Sequence, residues 1–158
     1  MLSEKAKMVP VAALFLASAL TGFLSTQTGL AGQAASIDVQ ITGLRNTFGK
    51  VWICLWKEEQ SSNFPNCDKH RPFAKIAAPA SAPLAAFNNV QPGAYAISFF
   101  HDENGDGRLA TNLAGLPKSA IGTSNNPSIG VASRPSFARS RFLVPGKARY
   151  SIESKYVF

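Results

Sequence analysis

Apolar side chains recur at every second position through much of this chain, and helical spacing is scarce after residue 35. The clearest case is Ala94 to Phe100, where large and small side chains alternate. A two-residue period is that of a β-strand with two different faces. The chain also contains 12 Gly and 10 Pro, which favour turns over long helices. With 158 residues and 46% hydrophobic content, it is predicted to form one ordered all-β domain.

About seven strands can be placed by this pattern. Gln91-Pro92-Gly93 and Pro145-Gly146 supply turns, because Pro fixes φ and Gly accepts positive φ. Short strands with hairpin-like connections favour a single antiparallel β-sandwich. The predicted strands are Ile37 to Ile41, Gly49 to Lys57, Phe73 to Ala78, Ala82 to Phe87, Ala94 to Phe100, Phe137 to Val144 and a last strand around Tyr150 to Phe158.

The second strand, Gly49 to Lys57, is apolar on both of its faces. Val51, Ile53 and Leu55 share one parity, and Trp52, Cys54 and Trp56 share the other. Such a strand is expected to be central or covered on its outer side. The two indoles would then form either a ligand platform or a surface that a loop covers, and the second interpretation is favoured.

The first 34 residues form a separate segment. Lys5 and Lys7 precede an apolar run from Val9 to Leu24, and small residues follow it. This order is typical of a secretory signal peptide, with cleavage expected after Ala34 and, as second choice, after Ala31. An uncleaved membrane anchor is the alternative, although the run is short for a span. The mature domain is then 35–158, exported to the periplasm or the extracellular space of a bacterium.

Two cysteines, Cys54 and Cys67, lie in the mature domain. Exported proteins meet an oxidising compartment, so an even pair predicts a disulfide. Closing a loop of this length would contribute about 3 kcal/mol to stability in the chain-entropy model. Two free thiols are the alternative, and the spacing matches neither a redox motif nor a zinc site.

The chain is basic, with 16 Lys and Arg against 9 Asp and Glu. From Arg134 to the end, the chain has six Lys and Arg residues and a single acidic residue, Glu153. Such a region could meet an anionic envelope component or another envelope protein, or could simply form a solvated strand face. Export argues against a nucleic-acid partner.

A long irregular segment runs from Asp102 to Ser136, and loops of this length usually carry function or are disordered. Its first residues place oxygen side chains at positions 1, 3 and 5 and Gly at position 6, as in the first half of a calcium loop. The predicted ligands of a Ca²⁺ ion are Asp102, Asn104, Asp106 and the backbone carbonyl of Arg108. Ala110 and Leu113 stand where further ligands would be expected, which excludes a full EF-hand. A metal-free turn is the alternative.

An ordered set of short motifs resembles the bacterial DUF2141 family of exported proteins of unknown function. The resemblance covers roughly 36–157 and implies a sandwich of the transthyretin or immunoglobulin type, without a known reaction. The family usually has Asp at the position of Ala110 and Glu at that of Ser119, so a weaker cation site is implied here. The motifs are Ile41-Thr42-Gly43-Leu44, Gly49-Lys50-Val51, Phe64-Pro65, Gly93-Ala94-Tyr95-Ala96, His101 to Gly107, Gly115-Leu116-Pro117-Lys118, Ser124-Asn125-Asn126 and Arg134-Pro135-Ser136-Phe137.

Three function classes follow from these residues. The first is a non-enzymatic binding module that uses the long loop, and the second is a structural domain stabilised by a cation. The third is an envelope hydrolase with His101 as base and Ser98, Ser119 or Ser124 as nucleophile. The chain lacks a Gly-x-Ser-x-Gly elbow, and no catalytic residue is assigned. The binding or structural module is the preferred interpretation.

Overall fold

The computed structural model describes residues 35–130 and 132–157, and within them it is built from eight strands in two sheets. The predicted signal peptide lies outside the described residues. A 3₁₀ helix (Glu58–Asn63) and one short helix, α1 (Phe137–Ser140), complete the regular elements. Neither of them has the length and apolar character to span a bilayer. The strands are β1 (Ala35–Thr42), β2 (Lys50–Lys57), β3 (Ala74–Pro79), β4 (Leu84–Val90), β5 (Gly93–Asp102), β6 (Ile121–Thr123), β7 (Phe142–Val144) and β8 (Ala148–Glu153).

The smaller sheet has the order β4-β1-β8 and the larger one the order β3-β2-β5-β6. Strands β6 and β7 share one edge of β5, because β7 pairs with Gly93–Tyr95 and β6 with Ser98–Phe100. The all-β prediction is confirmed. The expectation of purely antiparallel pairing is wrong, since β8 runs parallel to β1. Alternation assigns side chains to faces but does not identify the neighbouring strand, and the β7–β8 turn crosses between the sheets rather than closing a hairpin.

Side chains from both sheets meet in one apolar core. Every second residue of β1 and β2 points into it, and Ile37, Ile53 and Leu55 have no exposed surface. Strand β5 adds Ile97 and Phe99 from the same face. Burying side chains of this size contributes about 1.5–3 kcal/mol each. The apolar residues that alternate along these strands in the sequence are therefore the ones that form the core.

The long segment and the residues after it differ from the sequence prediction in two places. Residues 121–123, expected to be irregular, form β6 at the edge of the larger sheet. The predicted strand Phe137 to Val144 is wrong in its first half, which forms α1. The side chain of Ser136 accepts a hydrogen bond from the Arg139 backbone N–H, a capping contact that starts a helical turn.

A second apolar cluster lies on the outer face of the larger sheet, where Trp56 is fully buried. The Phe64 ring packs edge-on against Trp56, with centroids 6.0 Å apart, and against Phe137 at 5.9 Å. The predicted disulfide Cys54–Cys67 is present and ties this loop to β2. The loop therefore covers the indole face, as the favoured interpretation expects.

Replacing both cysteines by alanine should lower the free energy of unfolding by about 3 kcal/mol, because the unfolded chain gains the entropy of the open loop. Urea denaturation measures the change. Reductant should lower the melting temperature of the wild type and leave the variant unchanged. Equal stability of the two proteins would show that the bridge constrains nothing.

Candidate functional site

The Asp102 side chain closes the turn that follows β5. Its Oδ1 accepts hydrogen bonds from the backbone N–H groups of Gly105 (2.9 Å) and Asp106 (3.1 Å). Its Oδ2 accepts from the Gly107 N–H (2.8 Å) and from Trp52 Nε1 (3.0 Å). A carboxylate offers about four lone-pair positions, so this buried group is fully used. The predicted first calcium ligand therefore organises the turn through protein donors.

The remaining predicted ligands lie on the exposed side of the same turn. Asp106 accepts from the Arg108 backbone N–H at 2.8 Å and from Asn104 Nδ2 at 2.9 Å. These two bonds favour the charged carboxylate and lower the pKa of Asp106 from its usual value. Among residues 35–130 and 132–157, no three His, Cys, Asp or Glu side chains converge as a metal site would require. Calcium binding at this turn stays a prediction.

His101 is fully buried. Its Nε2 lies 2.7 Å from the carbonyl oxygen of Phe48, and because a carbonyl only accepts, Nε2 carries the proton. Its Nδ1 has no hydrogen-bond partner and is 3.8 Å from Glu103 Oε1. No described hydroxyl bonds to this ring, so the arrangement lacks the nucleophile–base contact that the hydrolase hypothesis needs.

Contacts from Glu103 and Gly49 hold the Asp102 turn against the loop between β1 and β2. Glu103 accepts from Arg45 Nη2 at 2.8 Å and from Asn46 Nδ2 at 3.2 Å. At Gly49 the backbone has φ +67° and passes so close that a Cβ would collide with the Asp102 carbonyl oxygen. Only glycine combines this φ with this approach.

A cavity of about 390 Å³ lies over the outer face of the larger sheet. One wall is the disulfide-tied loop at 65–69, and the other is the long segment between 109 and 135. A volume near the lower end of the usual ligand-site range fits a small molecule. We refer to this cavity as the groove.

The groove wall formed by the long segment is ordered by local hydrogen bonds. Thr111 pairs with Pro117 across a tight turn, and Asn112 Oδ1 accepts from the backbone N–H groups of Ala114 and Leu116, each at 3.0 Å. A second turn is closed by reciprocal backbone bonds between Gly130 and Ser133. The segment that the sequence predicts to be irregular is therefore ordered by its own turns where it forms the groove wall.

The floor and rim of the groove differ in chemistry. Phe100 and Gly122 belong to the sheet beneath, and aliphatic side chains that remain only half-buried line the walls. Lys69 and Arg134 stand on opposite walls, both exposed, with Asp68 beside Lys69. The half-buried aliphatic residues are Leu109, Leu116, Ile121, Ile129 and Val157.

Lys75 covers Trp52, the exposed end of the indole face. Its Nζ lies 4.3 Å from the centre of the Trp52 ring and donates to the Cys67 carbonyl oxygen at 3.1 Å. Burial lowers the pKa of Lys75, against the opposing pull of Asp68 and Asp102. The lysine therefore caps the aromatic face, and Trp52 offers no free platform.

Of the residues predicted from the sequence, the structure gathers Asp102, Asn104, Asp106 and Arg108 in one turn and places Cys54 and Cys67 together. It shows no hydrogen bond between His101 and Ser98, Ser119 or Ser124 among the described residues. Sequence reasoning did not identify Lys69 or the aliphatic lining, and it named Arg134 only as the start of the basic C-terminal region and of one family motif. The one available signal was the length of the segment from Asp102 to Ser136, which is excessive for a simple connection.

Replacing Gly49 by alanine should destabilise the domain by about 3 kcal/mol or more, since the new Cβ meets backbone that cannot move aside. Gly105→Ala is the matched control. Gly105 also has positive φ, +77°, but nothing lies within 4 Å of its Cβ position, so only the backbone cost of about 1–2 kcal/mol applies. Equal losses in urea denaturation would contradict the close approach at Gly49.

Asp102→Asn should cost about 3 kcal/mol, because an amide replaces an acceptor that faces four donors. Asp106→Asn, an exposed neighbour, should cost less than about 1 kcal/mol. We expect millimolar calcium to leave the wild-type melting temperature unchanged relative to chelator, since a cation would have to displace those donors. A calcium-dependent rise that both variants abolish would instead establish the metal site.

Comparison with known proteins yields one match. A family model described as "Uncharacterized protein conserved in bacteria (DUF2141)" matches residues 39–152, from within β1 to within β8. This range includes the Asp102 turn and nearly all of the groove lining. No curated protein and no solved structure gives a significant match.

Proposed function

The chain belongs to DUF2141, a family of uncharacterised proteins conserved in bacteria, and we propose that it is an exported, non-enzymatic binding module whose ligand site is the groove. The observation that carries the proposal is the combination of a 390 Å³ cavity with ordered walls and a half-buried aliphatic lining. Apolar side chains that a fold can bury are usually buried, so a concave apolar surface left open indicates a ligand site.

The proposed architecture is a single β-sandwich of the transthyretin or immunoglobulin type. The two sheets, of three and five strands, share one core, which supports a sandwich. In this sandwich the edge strand β8 of the smaller sheet pairs in parallel with β1. In such a fold the groove occupies an outer sheet face rather than the space between the sheets.

Export is supported by the disulfide and by the order of charged, apolar and small residues before residue 35. A Cys54–Cys67 bridge persists in an oxidising compartment and is reduced in most cytosols. We propose the periplasm or the extracellular space, with residues 1–34 removed on export. The proposed partner is then a component of the cell envelope and not a nucleic acid.

A binding role accounts for the buried groups better than hydrolysis does. His101 is committed to the Phe48 carbonyl. Ser98 accepts from Trp56 Nε1 at 2.8 Å and donates to the Pro65 carbonyl at 3.0 Å, and Ser124 donates to the Ser140 carbonyl at 2.5 Å. These hydroxyls hold the sheet and its covering loop together, which is a structural task.

Native mass spectrometry of the protein recovered from a bacterial envelope tests the groove. Wild-type protein should carry a small-molecule adduct, and Gly130→Trp should lose it, since Gly130 lines the groove and has open space at its Cβ position. The indole would occupy the volume that the ligand needs.

Gly146→Trp is the matched control, because Gly146 also has open space at its Cβ position but does not line the groove. It should retain the adduct at the wild-type level. Adducts of equal abundance in all three proteins would place the ligand elsewhere, and the absence of any adduct from the wild type would count against a retained small-molecule ligand.

A further inference from the structure

The half-buried aliphatic side chains of the groove come from the long segment, from the strand β6 that interrupts it, and from the C-terminal segment. Leu109 and Leu116 belong to the hairpin wall, Ile121 to the edge of the sheet, and Val157 to the C-terminal segment. The Ile121 backbone N–H donates to the Lys155 carbonyl at 3.1 Å, which holds the last two of these segments together. Their convergence on one concavity offers an apolar ligand a surface, beside which polar side chains such as Thr111 and Ser133 also line the groove.

Lys69 and Arg134, at the rim, form no ion pair among the residues that the structure describes. Arg45 pairs with Glu103 and Lys155 pairs with Glu153, whereas other exposed cations such as Lys118 and Arg141 are also without an ion pair among the described residues. The two rim cations outnumber the single rim carboxylate of Asp68. Unpaired positive charge beside an apolar concavity attracts an anion and disfavours a cation.

Both rim cations stand on segments that are already ordered. Lys69 follows the disulfide, and its backbone N–H donates to the Asn66 carbonyl at 3.2 Å. Arg134 lies between the closed turn at Ser133 and the Ser136 cap of α1. Fixed backbone on both sides reduces the entropy that must be lost when an anion is bound between them.

We propose that the groove takes a single-chain anionic amphiphile, whose aliphatic chain lies on the aliphatic lining and whose carboxylate or phosphate head is held by Lys69 and Arg134. This inference rests on the proposed binding function and names the ligand class. Arg134 supplies the planar donor set that matches either oxyanion, and Lys69 supplies a point charge. The size of the groove limits the length of the ligand's aliphatic chain, and the cations at its rim select the ligand's head group.

Titration calorimetry with defined probes below their micelle concentrations tests the assignment. Dodecanoate and dodecyl phosphate share the anionic amphiphile chemistry, dodecyltrimethylammonium reverses the charge, and inorganic phosphate lacks the chain. We expect both anionic amphiphiles to bind at least ten times more tightly than the cationic one. Inorganic phosphate should give no saturable heat, because the charges alone do not make the site.

The variant Lys69→Gln/Arg134→Gln should weaken dodecanoate binding at least tenfold, and Gly130→Trp should abolish it. Arg141→Gln/Lys147→Gln removes the same charge from exposed residues of the basic region that form no ion pair among the described residues and do not line the groove, and it should bind as the wild type does. Equal weakening in the two double variants would reduce the effect to net charge and overturn the rim assignment.

The ligand class and the groove can fail separately. Binding of the cationic probe as tightly as the anionic ones, still blocked by Gly130→Trp, would overturn the ligand class and keep the groove. The same holds if an envelope adduct is lost in Gly130→Trp while no probe binds. Probe binding that Gly130→Trp leaves unchanged, together with no groove-dependent adduct, would overturn both proposals.

Discussion

The structure depends on how the outer face of the larger sheet is kept from water. Strand β2 is apolar on both sides, and the smaller sheet covers only one of them. On the other side the Trp56 N–H would be left unsatisfied, but it donates to Ser98, which in turn donates to the Pro65 carbonyl of the covering loop. This short chain of bonds fixes the loop over the indole, and the disulfide keeps it there. A buried donor without a partner would cost about 1–3 kcal/mol.

The groove follows from the way this cover is divided. The disulfide-tied loop covers the Trp56 region, and the long segment covers the part of the sheet near Ile121, so the two meet at a seam. Each cover is ordered by its own turns. Rigid walls do not collapse onto each other, because ordered backbone cannot shift without losing its hydrogen bonds. An open seam with half-buried aliphatic side chains is the physical result.

Much of the scaffold could be predicted from the sequence, because its signals are local. The parity of β2, the pairing of Cys54 with Cys67 and the turn after Asp102 each arise from residues within a short stretch or from a simple count. The groove could not be predicted, since Lys69 and Arg134 are brought together only by tertiary packing of two irregular segments. The same limit explains α1: Phe137 has strand-like neighbours, and its helical turn is set by the Ser136 cap and by the Phe64 ring it packs against.

The open groove also has an energetic consequence for the folded state. Its aliphatic side chains gain about 25 cal/mol for each Å² of apolar surface that a ligand removes from water, and an unfolded chain offers no such concavity. A ligand that binds only the native state stabilises it by an amount that grows with the logarithm of its concentration over its dissociation constant. The empty groove leaves apolar surface in contact with water, and a bound ligand would remove that surface from water and so stabilise the folded state. Under the proposed binding function, the stability of the domain is therefore tied to occupancy of the groove.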